Sequence, residues 1–184
     1  MLDQAHKLID DRQYVAAIAL LTKILAENPK NEDALWMRAV TLVRMGQARD
    51  AVADVKAIIE LAPNQLSYIL SLGDIYALDG QMENAIEVYY SLLTQKPEAG
   101  NVVLRLGHLL QIEKRWEEAL TVYTNAIETI PDFAEAYMAR GAVKRHLKDL
   151  AGAAEDLKQA LTLKPELAEE IEGSGATIDK KGCH

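Results

Sequence analysis

The side chains best equipped for chemistry in this 184-residue sequence are four histidines, one cysteine and a few arginines set at matched distances from aspartates. Arg105 and His108 are three residues apart, so on a helix they share a face and, with Asp74 from an equivalent place earlier in the chain, could hold an anion or move a proton. Cys183, beside His184, is the only thiol, and one cysteine builds neither an intrachain disulfide nor a zinc site. The stretch GSGATIDKKG, Gly173 to Gly182, lacks the G-x-x-x-x-G-K-[ST] order of a phosphate loop and precedes no helix, so it reads as a flexible tail. Arg38 and Arg140 each precede an aspartate, Asp54 and Asp156, by the same interval. No nucleophile–base or acid–base set stands out, and the expectation is a non-enzymatic chain without cofactor or metal.

The elements that position these groups follow from a beat in the sequence. Pro29, Pro63, Pro97, Pro131 and Pro165 fall at intervals of 34 residues. With each proline at place 32, the units are 1–31 (lacking the first three places), 32–65, 66–99, 100–133 and 134–167, followed by a short helical cap and flexible tail over 168–184. Place 20 is Ala17, Ala51, Ala85, Ala119 and Ala153; place 8 is Ala5, Ala39, Gly73, Gly107 and Gly141; place 24 is Leu21, Val55, Tyr89, Tyr123 and Leu157. Places 4, 7, 8 and 11 recur at helical spacing, and so do 20, 24 and 27, which predicts two helices per unit. Small residues at 8 and 20 are expected to let the two backbones approach, with bulky residues at 11 and 24 beside them. Proline at 32 stops the second helix and restricts the residue before it. Lys144 at place 11 of the last unit is expected to loosen the array there.

Leu72, Gly73, Tyr76, Ala85, Tyr89 and Pro97, and again Leu106, Gly107, Leu110, Ala119, Tyr123 and Pro131, form an L-G-x-x-[YL]…A-x-x-x-Y…P pattern that resembles the tetratricopeptide repeat. The resemblance covers about nine-tenths of the chain. It implies an all-α, right-handed α-solenoid of five stacked helix-turn-helix repeats, whose first helices line a concave surface that accepts a peptide or a partner's helix. Place 4 departs from the family, being Met1, Leu35, Ile69, Val103 and Tyr137 and never Trp. A carboxylate clamp of the kind some relatives carry is matched only by Arg105 at its arginine place, so a receptor for a C-terminal carboxylate is not expected.

On that surface the residues expected to contact a partner are Trp36, Val40, Leu70, Asp74, Leu104, Arg105, His108 and Met138. Place 5 is apolar throughout (Leu2, Trp36, Leu70, Leu104, Met138), which packing between neighbouring first helices would also explain. His6 and His108 share a place but lie three units apart, roughly 20–30 Å at helix-packing distances, too far for one metal. The Arg–Asp intervals read as structural. Where place 7 is Arg, place 23 is Asp; where place 7 is Leu72 or Leu106, place 23 is Val88 or Val122. Ion pairs Arg38–Asp54 and Arg140–Asp156 are therefore expected across the hairpins.

A formal charge of −8 disfavours nucleic acid as a partner. No apolar run approaches the roughly 18 residues that span a bilayer, and the start MLDQAHKLIDD has no signal-peptide character. A cytoplasmic, non-catalytic scaffold for a protein or peptide partner is the leading expectation. A self-associating subunit of a homo-oligomer, or a fragment of a longer array, is the alternative, because PELAEEIEG, Pro165 to Gly173, is a short cover for the last hairpin.

Overall fold

Each predicted stop is visible in the computed structural model, which describes residues 1–168. The second helix of every hairpin ends two residues before its proline: α2 (Tyr14–Glu27), α4 (Ala48–Leu61), α6 (Met82–Gln95), α8 (Trp116–Thr129) and α10 (Leu150–Leu163). The residue before the proline is thrown out of helical geometry, as at Asn28 (φ −138°, ψ 88°) and Ile130 (φ −131°, ψ 84°). Its N–H still donates to the last turn, Asn28 N to Ile24 O at 2.9 Å and Ile130 N to Ala126 O at 2.8 Å.

The first helices are α1 (Leu2–Asp10), α3 (Glu32–Arg44), α5 (Leu66–Leu78), α7 (Gly100–Ile112) and α9 (Ala134–His146). Each ends in the same way. The residue at place 15 takes a positive φ: Arg12 57°, Gly46 75°, Gly80 78°, Lys114 60° and Lys148 66°. The next N–H reaches back five residues, as in Gln13 N to Leu8 O and Arg115 N to Leu110 O, both 2.8 Å. That bond covers a carbonyl the helix end would leave open and reverses the chain into the second helix.

Contacts gather in two compact units, residues 1–95 and residues from 96 onward. In the first, α1/α2, α3/α4 and α5/α6 are hairpins; α2 packs on α3, α4 on α5, and the first helices α1 and α3 touch. Its core joins Ala5, Leu21, Ile24, Leu25, Ala34, Leu35 and Ile58, with Trp36 and Met37 at the margin. In the second, α7/α8 and α9/α10 are hairpins, α8 packs on α9, and α7 touches α9. Leu106, Leu110 and Ala119 there are wholly buried. Leu167, in the turn after α10, is also covered and joins Ala134 and Ala160. The rest of the expected cap and tail, with Cys183 and His184, lies outside the described residues.

The small residues at place 8 act differently from the expectation of close backbones. A Cβ on Gly73 would run into the ring of Tyr89, and one on Gly107 into the ring of Tyr123. The tyrosine rings, rather than a facing backbone, fill the space. At Gly141, by contrast, an added Cβ would come nearest to backbone, 3.2 Å from Ala153 O. The substitution is coupled along the chain: Ala5 and Ala39 are paired with the smaller Leu21 and Val55.

Candidate functional site

In the first unit the expected contact residues lie on α3 and α5. Trp36 is half-buried, its ring centroid 5.3 Å from that of Tyr68 at 51°, an edge-tilted contact of the favourable kind. The Tyr68 hydroxyl donates to Glu32 Oε1 at 2.7 Å, and that carboxylate pushes the phenol up from its ordinary value. Val40 and Leu70 are half-buried. Asp74 is half-buried too, accepting from the Tyr89 hydroxyl at 2.7 Å. One role of Asp74 is therefore internal, closing off the hydroxyl of the ring that occupies the Gly73 niche.

In the second unit Leu104 is half-buried on α7, while Arg105 and His108 are exposed on the same helix. Met138 on α9 is half-buried against the Ala134, Ala160 and Leu167 cluster. Tyr123 is buried with its hydroxyl accepting from Gln111 Nε2 at 3.0 Å; burial pushes the phenol up to about 12, with the Gln111 bond working the other way. Across both units, none of the eight expected contact residues is in the core.

The two arginines at place 7 stand apart from these faces. Arg38 grips Asp54 with two bonds, Nε to Oδ2 at 2.8 Å and a terminal nitrogen to Oδ1 at 2.6 Å; Arg140 grips Asp156 at 2.9 and 2.7 Å. Both aspartates are 3% exposed, so the pairs hold hairpins together rather than await a ligand. Sequence reasoning missed a third member. Arg38 also donates to Thr22 Oγ1 at 3.1 Å, and Arg140 to Thr124 Oγ1 at 3.5 Å, each threonine on the preceding second helix. Both occupy place 25, so the coincidence was available in the aligned copies. Lys144, expected to loosen the array, joins the Arg140–Asp156 pair: its amine lies 2.9 Å from Asp156 Oδ2.

Two further contacts escaped the sequence. Trp116 stacks on His146, centroids 3.6 Å apart and 24° between planes, joining the start of α8 to the end of α9. Lys164 donates to Glu135 at 2.8 Å. His6 pairs locally with Asp10 at 3.3 Å. Among the described residues, no group of three His, Cys, Asp or Glu is placed to hold a metal, and no helix is long and apolar enough to cross a membrane.

Helical hairpins with this recurring close define a helical-repeat protein of the all-α solenoid class. Sequence profiles described as tetratricopeptide repeat match residues 8–73, 69–103 and 104–168, and the chain belongs to the tetratricopeptide repeat family. Solved structures agree. MamA superposes with a TM-score of 0.73 at 20% identity over 90% of this chain and 96% of its own. YrrB, described as a TPR protein with an unusual peptide-binding site, gives 0.68 at 17% over 95% and 90%. TTC0263, a thermophilic TPR protein in Thermus thermophilus, gives 0.59 at 21% over 95% and 96%. At these identities the likeness is one of fold.

Proposed function

We propose that the chain is a non-catalytic scaffold whose first helices receive an extended peptide or a partner's helix. The observation that carries this reading is the incomplete burial of Trp36, Val40, Leu70, Leu104 and Met138 on helices that bury other residues in the core. Half-covered apolar groups, beside Asp74 in the first unit and beside Arg105 and His108 in the second, give a peptide both an apolar anchor and polar groups to fix its direction. The tetratricopeptide repeat family and the peptide-binding site named for YrrB support it. A cytoplasmic setting belongs to this reading, and the five sequence units serve as the repeats of the array. Panning a displayed peptide library against the purified chain tests the reading. Selected peptides are expected to bind far more weakly to Val40→Glu in the first unit or to Leu104→Glu in the second, with helical content unchanged. Undiminished binding by both variants moves the site elsewhere.

A second reading, self-association, draws on Leu150. This first residue of α10 is 67% exposed, whereas its counterpart Trp116 is covered by His146. Light scattering during size exclusion checks it; a monomer at tens of micromolar removes it.

A further inference from the structure

At one corner of the first unit the sequence departs from its own repeat at three places. Place 1, Glu32, is Leu66, Gly100 and Ala134 in the other units that have it; place 3, Tyr68, is Ala34, Val102 and Ala136; place 5, Trp36, is Leu2, Leu70, Leu104 and Met138. Ala34, Val102 and Ala136 are buried, whereas Tyr68 and Trp36 are each only half-buried. The other repeats fill places 3 and 5 with small or aliphatic residues, so packing alone does not call for two aromatic rings and a carboxylate here.

The three departures meet in space. The ring centroids of Trp36 and Tyr68 are 5.3 Å apart at 51°, and the Tyr68 hydroxyl donates to Glu32 Oε1 at 2.7 Å. Asp33 is exposed beside Glu32, and both carboxylates raise the Tyr68 phenol, Glu32 foremost through its hydrogen bond. A carboxylate offers about four lone-pair positions, and the hydroxyl occupies one of those on Glu32. Cations of the chain do not fill the rest. The helix α5 carries none. On α3, Arg38 is held by Asp54, and Arg44 lies in the last turn, about 18 Å along the axis from Glu32. Among the described residues no cation forms an ion pair with Glu32 or Asp33, and this includes Lys30, two residues before Glu32.

Aromatic faces attract a cation, and a guanidinium can lie flat on a ring while its N–H groups bond a carboxylate. A net charge of −8 favours the approach of a basic partner. We propose that the Trp36–Tyr68 corner docks a basic linear segment of a partner protein, one arginine stacking on the open part of the rings with its guanidinium on Glu32 and Asp33. This rests on the reading of the chain as a peptide scaffold and adds the partner's chemistry.

The test uses the full chain and a fluorescein-labelled peptide of Arg, Leu and Ser, read by anisotropy. The comparison probe is the same peptide with citrulline for arginine, which keeps the shape and loses the charge. The arginine peptide is expected to bind at least about tenfold more tightly than the citrulline peptide, and raising salt from about 50 to about 500 mM to weaken it. Glu32→Gln/Asp33→Asn is expected to lower its affinity by about tenfold, and so is Trp36→Leu/Tyr68→Val, which installs residues that other repeats hold at these places. Circular dichroism checks both folds; should the aromatic variant lose helix, the carboxylate variant decides. Asp50→Asn/Glu60→Gln, which removes the same charge from exposed residues of α4, leaves the affinity unchanged. No binding of the arginine peptide, equal binding of the citrulline peptide, undiminished affinity in a folded corner variant, or an equal loss from the α4 variant each overturns the proposal. Library peptides that bind the chain and lose affinity on Leu104→Glu in those cases leave the scaffold reading standing.

Discussion

Arg38 lies fork-to-fork on Asp54, two bonds of 2.8 and 2.6 Å between the first and second helices of one hairpin. The aspartate side chain is 4% exposed and the arginine 23%. Two other hairpins of the same chain fill these places with Leu72 and Val88 or Leu106 and Val122. The ion pair and the apolar pair are thus alternative solutions to one packing problem.

Removing half of the ionic solution strands the other half. Arg38→Leu leaves a buried carboxylate without its partner and is expected to cost about 3 kcal/mol in denaturant unfolding. Arg38→Leu/Asp54→Val copies the apolar solution and is expected to recover most of that loss. A double variant no more stable than the single one would show that the pair does more than fill the hairpin.

Acid should reach the last hairpin through Asp156. Burial works to raise its carboxyl, but hydrogen bonds from Arg140 and Lys144 outweigh burial and hold it below its ordinary range. A carboxyl depressed on folding contributes stability above its unfolded value, near pH 4, and loses it as pH falls toward the folded value. Denaturation midpoints at about pH 7 and about pH 3 are expected to differ less for Asp156→Asn than for the parent. An equal drop in both proteins would assign the acid sensitivity to other carboxylates.

These pairs were legible in the sequence because two residues change together between copies, Arg with Asp and Leu with Val. The five prolines were legible because an X-Pro step has one physical consequence wherever it stands. Gly73 and Gly107 were partly misread: their smallness was seen and the bulky residues of place 24 were set beside them, but the smallness was assigned to close backbones rather than to the tyrosine rings that need it. Place 15 was not seen at all, since Arg12, Lys114 and Lys148 hide a conformation that Gly46 and Gly80 advertise. Asp74 looked like a free groove residue because its bond to the Tyr89 hydroxyl depends on where the ring points, which spacing alone does not encode.

The glycine–tyrosine niche gives a coupled test. Gly107→Ala drives a methyl group into the Tyr123 ring and is expected to cost about 1–3 kcal/mol. Gly107→Ala/Tyr123→Leu reproduces the Ala5 and Leu21 combination and should recover part of it, although losing the ring leaves Gln111 without its acceptor at the hydroxyl. A double variant that merely sums two losses would mean that the ring and the glycine are not coupled.

The turn at place 15 predicts opposite signs for opposite substitutions. Lys114 holds φ 60° without glycine's freedom, so Lys114→Gly relieves backbone strain and is expected to stabilise by about 0.5–1 kcal/mol. Gly80 holds φ 78° with nothing within 4 Å of an added Cβ, so Gly80→Ala meets no clash and still loses about 1 kcal/mol to conformation alone. Thermal melts of the two variants against the parent decide the matter. Both shifts in one direction would contradict the role given to this residue, because only the left-handed turn links the two changes: it lets the following N–H, Arg115 or Gln81, cap the carbonyl of Leu110 or Tyr76 and send the chain back along its own first helix.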